Sequence, residues 1–247
     1  MTENKNLSTQ KWYASWFDTP FYHILYKDRD YNEAQHFMDN LTGYLNLPEN
    51  AKILDLACGK GRHSIYLNSL GYDVTGADLS ENSIAEASKS ANETLHFKVH
   101  DMRNPCDEKY DAIFNLFTSF GYFEKDEDNL TTLKAIHNSL NETGFACIDF
   151  MNVDYVIANL VSEEVKTVEN IDFHIKRYVK ENHIYKEIRF TVAGEDYHFT
   201  EKVQALRLAD FEQMMEEAGI YLLDIFGNYK LQKFFKNESE RLIMIFK

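Results

Sequence analysis

Proline, glycine and cysteine are all scarce: 247 residues hold three prolines, ten glycines and three cysteines. So little proline and glycine excludes collagen-like and low-complexity chains. Cys58, Cys106 and Cys147 are odd in number and far apart, which excludes a disulfide framework and gives no zinc spacing. No metal site is expected, and reduced thiols fit a cytoplasmic location. No apolar run approaches the roughly 18 residues of a membrane span. Met1–Gln10 is polar and lacks the apolar segment of a secretion signal. Cations are also short: 26 lysines and arginines against 40 aspartates and glutamates, a net charge of −14. That balance argues against nucleic-acid and membrane partners. Apolar residues, by contrast, make up 44% and aromatic residues 14%. This suffices for a sizeable core in one large domain, or in one domain carrying an insertion.

Residues 11–31 are dense in aromatics, from Trp12 and Tyr13 to Tyr26 and Tyr31. Ala34, Phe37, Met38, Leu41 and Leu45 then recur at helical spacing over 31–46. Short apolar runs at 52–56, 72–78, 95–100, 110–116 and 145–150 read as strands, with helical patterns between most of them. Such alternation predicts an α/β fold, a doubly wound and largely parallel sheet. The pattern changes near residue 163. Three β-rich stretches follow, at 168–180, 183–193 and 197–206, with Asn182 and Gly194 where turns are needed. They predict a small antiparallel insertion. An amphipathic helix over 208–218, stopped by Gly219, and strands at 220–226 and 242–246 close the chain.

The segment after the first strand, Asp55-Leu56-Ala57-Cys58-Gly59-Lys60-Gly61, carries the most chemistry. Ligands of α/β sheets bind beyond the carboxyl ends of the strands, where small residues admit close approach. A dinucleotide site wants a third glycine, but Ser64 stands there, and Asp55 would repel a pyrophosphate. S-adenosylmethionine is a phosphate-free cation and suits Asp55. Asp78 ends the second strand and can accept from both ribose hydroxyls. Asp101 can accept from an adenine amino group, with Leu79 and Met102 on the ring faces. Asn115 and Phe117 follow the fourth strand, beside the methionine moiety. Cys58 fills a tight turn.

On these residues the chain resembles the class I S-adenosylmethionine-dependent methyltransferases. The resemblance rests on DLACGKG at 55–61, DLS at 78–80, HDM at 100–102 and NLFTSFGYF at 115–123. It implies a Rossmann-like, seven-stranded sheet whose last strand is antiparallel. It also implies cofactor contacts at Asp55, Ala57, Gly59, Asp78, Leu79, Asp101, Met102 and Asn115. Cys58, Gly61 and Phe117 join this set by position. The expected layout is an aromatic helical cap over 1–50, the cofactor domain over 51–152 and 207–247, and a β insertion over 153–206 as substrate cover. Trp12, Tyr13, Tyr26, Arg29, Phe120 and Tyr122 are candidates for a lid over cofactor or substrate.

Asn115-Leu116-Phe117-Thr118 lacks the Asn/Asp-Pro-Pro-aromatic motif of enzymes that methylate exocyclic amino groups of bases or glutamine amides. With the acidic total, this favours a small-molecule acceptor. Direct transfer needs alignment and exclusion of water, and a base only where the nucleophile must lose a proton. Tyr13, Tyr26, Tyr122 and His198 are the candidates for such a base, and no catalytic residue is assigned. The alternatives are a nicotinamide oxidoreductase, a non-catalytic module that binds S-adenosylmethionine, and a methyltransferase of protein or RNA. The sequence leaves the oligomeric state open.

Overall fold

The computed structural model describes residues 16–27 and 31–247. Trp12, Tyr13 and Arg29 lie outside the described residues. The chain forms two compact units. The larger holds residues 31–160 and 203–247; the smaller holds residues 16–27 and 161–202.

The larger unit is built on a seven-stranded sheet. Its strands are β1 (Lys52–Leu56), β2 (Asp73–Asp78), β3 (Leu95–Val99), β4 (Tyr110–Asn115), β5 (Leu140–Met151), β10 (Leu222–Phe226) and β11 (Arg241–Phe246). The order is β10-β11-β5-β4-β1-β2-β3. Strands β1 to β5 are mutually parallel, and β11 runs antiparallel between β5 and β10. This is the α/β, Rossmann-like arrangement expected from the sequence. Strand order reverses around β1, whose neighbours are β4 and β2, so a crevice opens at their carboxyl ends.

Helix α2 (Tyr31–Leu45) covers one face. Its Ala34, Phe37, Met38 and Leu41 form one core with Ile53, Val74, Ala112, Phe114 and Ile243 of the strands. Burying each large side chain contributes about 1.5–3 kcal/mol. The helix therefore packs as part of the larger unit. Helices α3 (Arg62–Ser69) and α4 (Glu81–Ala87) follow β1 and β2, the second capped by Ser80 Oγ on the Ser83 amide at 3.0 Å. Helices α5 (Glu127–Asn138), α6 (Val153–Ala158) and α7 (Leu208–Ala218) complete the unit. Phe211 of α7 packs 5.5 Å from Phe150 of β5. Gly219, at φ 72°, ends α7 as expected.

The smaller unit pairs helix α1 (Pro20–Leu25) with strands β6 (Glu163–Val168), β7 (Ile171–Lys180), β8 (His183–Val192) and β9 (Glu195–Gln204). They form a four-stranded sheet of consecutive strands. Where three strands were expected there are four. Strand β6 is exposed along nearly all its length, so it carries no apolar alternation to read. Its register comes from pairing with β7. All three hairpin loops have two residues with positive φ: Glu169-Asn170, Glu181-Asn182 and Ala193-Gly194. These are type I′ geometries, matched to the twist of the strands they join. Phe173, Ile175, Ile188 and Phe190 pack with Trp16 and Leu25.

Gly76, inside β2, has no room for a side chain. A Cβ there would lie 2.6 Å from the Phe97 ring and 2.8 Å from Ser64 Oγ. Gly76→Ala should destabilise the protein by about 1–3 kcal/mol, read as a lower midpoint in urea unfolding.

Candidate functional site

The loop after β1 is shaped by left-handed backbone. Ala57, Gly59 and Gly61 have φ of 66°, 56° and 78°. The amides of Ala57 and Cys58 both donate to the Ala77 carbonyl, at 2.8 and 3.1 Å, which ties the loop to β2. The two glycines do different work. A Cβ on Gly61 would meet the Phe97 ring at 2.5 Å, so that glycine serves packing. A Cβ on Gly59 would meet nothing within 4 Å, so the backbone there faces open space.

Beneath this loop sits Asp55, 2% exposed. It accepts a hydrogen bond from Ser64 Oγ at 2.6 Å. Ser64 thus occupies the place of a third glycine with a specific donor. Burial drives the Asp55 carboxyl up to about 6, with Ser64 opposing and the Asp78 charge adding to the rise. Cys58 is buried beside both carboxylates, and burial, then Asp55 and Asp78, push its thiol far above its ordinary range. It is not poised as a nucleophile.

Asp78, at the end of β2, accepts from the Gly59 amide at 2.8 Å and from the Ser80 amide at 2.9 Å. A carboxylate offers about four acceptor sites. Leu79 beside it is 42% exposed. Asp101 is differently placed: Arg103 Nε lies 3.0 Å from its Oδ1, and Arg103 also pairs with Asp128 at 2.9 Å. The sequence reading had no partner for Asp101. Its signal was the two-residue spacing of Asp101 and Arg103. Met102 is half-buried next to this pair.

Asn115 ends β4 fully buried. Its Nδ2 donates to the Leu56 carbonyl at 3.0 Å, while its Oδ1 has no partner among the described residues. Phe117 and Thr118 follow with φ of 59° and 60°, unusual for non-glycine residues in succession. The Phe117 ring stacks on His63 at 4.6 Å and stands 5.5 Å from Tyr229. Neither His63 nor Tyr229 was read from the sequence, because neither lies in a strand-end motif. Tyr122 is half-buried.

Phe120 requires a correction. It is fully buried, 5.5 Å from Phe211, so it belongs to the core and not to a lid. Its apolar neighbours Phe123 and Phe211 explain the place. Tyr26 and His198 belong to the smaller unit. The Tyr26 hydroxyl donates to Glu201 at 2.7 Å, and His198 Nε2 lies 3.8 Å from Glu187.

Comparison with known proteins agrees with this geometry. Residues 53–144 match the family model described as a methyltransferase domain. The chain is 27% identical over 187 residues to dTDP-3-amino-3,4,6-trideoxy-alpha-D-glucopyranose N,N-dimethyltransferase of Streptomyces venezuelae, covering 70% of this chain and 76% of that one. It is 26% identical over 193 residues to glycine/sarcosine N-methyltransferase of Halorhodospira halochloris, covering 72% and 69%. The structure of an S-adenosylmethionine-dependent methyltransferase from Clostridium acetobutylicum superposes with a TM-score of 0.76 at 22% identity, covering 91% and 94%. Together the domain match and the fold support a class I S-adenosylmethionine-dependent methyltransferase. Its cofactor is S-adenosylmethionine. Among the described residues of the methyltransferase, no helix is long and apolar enough to cross a membrane.

The buried carboxylate gives a prediction with a definite sign. Asp55 titrates near 6 in the folded chain and at an ordinary 3.8 when exposed. The folded state therefore holds the proton more tightly, and stability falls as pH rises between these values. Below about pH 4 the group is neutral in both states and costs nothing. Asp55→Asn should remove this loss. Relative to the parent, the variant should gain about 1–3 kcal/mol between pH ~4 and pH ~7.5 in chemical denaturation.

Proposed function

We propose that this methyltransferase transfers a methyl group directly to a small molecule, with the cofactor held across the carboxyl ends of β1 to β4. The acceptor class rests on the similarity to enzymes named for an amino sugar and for glycine and sarcosine. The cofactor contacts rest on the fit of the residues. Gly59 leaves its backbone open, and Asn115 keeps a buried oxygen in need of a donor. An unpaired buried acceptor costs about 1–3 kcal/mol unless a ligand supplies the donor. The methionine ammonium is such a donor.

Bound there, S-adenosylmethionine supplies an activated methyl group on a positively charged sulfur. The chain's own part is to bind, orient and exclude water. Asp78 accepts from the ribose hydroxyls, its carboxylate held square by the Gly59 and Ser80 amides. Leu79 and Met102 flank the adenine, and Asp101 accepts from its amino group while Arg103 fixes the carboxylate. Ala57, Cys58, Gly59 and Gly61 form the floor of the methionine end. Asp55 places a negative charge beneath the cationic ligand. Asn115 and Phe117 line the point of transfer. A neutral amine attacks with its own lone pair and needs only alignment, which supplies much of the rate in such reactions. An ammonium must first lose a proton, and Tyr122 is the titratable group of the 115–123 segment placed for that.

Calorimetric titration with S-adenosylmethionine and S-adenosylhomocysteine tests the site. Asp78→Ala should weaken both by about 1–3 kcal/mol without loss of fold. Unchanged affinity in a folded variant defeats the ribose assignment. Release of S-adenosylhomocysteine in the presence of glycine, sarcosine or a nucleotide-linked amino sugar identifies the acceptor class. Label transfer into protein or RNA alone refutes it.

A further inference from the structure

The conformation of residues 117 and 118 is costly, and the chain holds it by a device remote in sequence. Each left-handed non-glycine residue costs about 1–2 kcal/mol, more for a branched side chain such as Thr118. The cost is met by Asp149, fully buried near the carboxyl end of β5. Its Oδ2 accepts from the Phe117 amide at 2.8 Å, and its main-chain carbonyl accepts from the Thr118 amide at 2.9 Å. Its Oδ1 accepts from Arg241 Nε at 2.8 Å, and the Tyr229 hydroxyl donates to the same carboxylate. Arg241 Nη2 reaches Thr118 Oγ1 at 2.9 Å, which closes the ring of contacts. The Arg241 guanidinium also lies 5.5 Å from the Tyr229 ring, the ring that flanks Phe117.

Neither Asp149 nor Arg241 has a role in the cofactor contacts proposed above. A buried ion pair is poor value as stability alone, since apolar residues of similar size do as well. Here both partners also hold one short stretch of chain, Asp149 through the Phe117 amide and Arg241 through the Thr118 hydroxyl. We infer that the Asp149–Arg241 pair is a positioning device that fixes residues 115–118 against the sulfonium end of the cofactor. This rests on the reading that the methionine end lies beside those residues.

S-adenosylmethionine and S-adenosylhomocysteine differ only in the methyl group and its positive charge. Their affinity ratio therefore reports on the residues at the sulfonium and is blind to the ribose and adenine contacts. Calorimetric titration of both ligands is made with the parent, Asp149→Asn, Arg241→Lys, and the double variant Asp149→Leu with Arg241→Met, which removes both charges together. Thr118→Ala, which deletes a single contact, serves where a buried substitution prevents folding. In the folded variants we expect S-adenosylhomocysteine to bind within about twofold of the parent and S-adenosylmethionine to weaken by about tenfold, the effect of one misplaced charge-assisted contact. For Thr118→Ala the same ratio should fall by about threefold. A merely structural pair would lower the melting temperature and both affinities alike. An unchanged ratio in folded variants overturns the inference and leaves the cofactor site standing. A parent protein that binds neither ligand overturns the cofactor reading, and the inference with it.

Discussion

Strands β1, β4 and β5 carry Asp55, Asn115 and Asp149 buried near their carboxyl ends, Asp78 ends β2 and Asp101 follows β3 half-buried, and the upper edge of the fold is arranged around supplying these groups with donors. Asp55 takes Ser64, Asp78 takes two loop amides, Asp101 takes Arg103, and Asp149 takes the Phe117 amide and Arg241. Burial of an unpaired charge is costly, so each of these pairings fixes the backbone that carries the donor. The loops after β1 and β4 thereby acquire shapes their local sequence would not choose. The left-handed turn at Phe117 and Thr118 serves this demand, the Phe117 amide reaching the Asp149 carboxylate. Asn115 Oδ1 is the exception, an acceptor on the same edge with no donor among the described residues.

Much of this was legible in the sequence. Alternating apolar runs and helical spacings located the central strands and α2, because core-facing residues must repeat with the period of their element. The glycine loop and the strand-end aspartates marked the crevice, because parallel sheets bind ligands at that edge. What escaped notice depends on distance along the chain. Arg241 meets Asp149 across 92 residues, and nothing local to either announces the other. Tyr229 and His63 come to Phe117 from separate elements. Phe120 sat in a segment read as site, and its burial against Phe211 was decided by α7, which lies far downstream. Strand β6 was missed for a different reason. Its side chains are nearly all exposed, so only the partner strand dictates its shape.

The smaller unit shows how an aromatic-rich segment and an inserted sheet complete one another. Four strands joined by two-residue loops leave one apolar face that cannot stay in water. From the amino-terminal side Trp16 and Leu25 are buried in its core, and Phe21 and Tyr22 pack against it. The Trp16 indole N–H is satisfied within the same unit, donating to Glu201 at 2.8 Å. That carboxylate also takes the Tyr26 hydroxyl, so one acidic residue holds the chain before and after α1.

The placement of β11 bears on how the chain is made. A ribosome delivers β5 long before β11, yet β11 is the strand that pairs with β5 along Met151 to Ala146. During that interval the edge of β5 presents Ile148 and Phe150 with unpaired backbone, the kind of surface on which nascent chains stick to one another. Everything between the two strands, including the whole small sheet, must be synthesised before that edge is covered. The edge of β5 is therefore covered only after nearly the whole chain has been made.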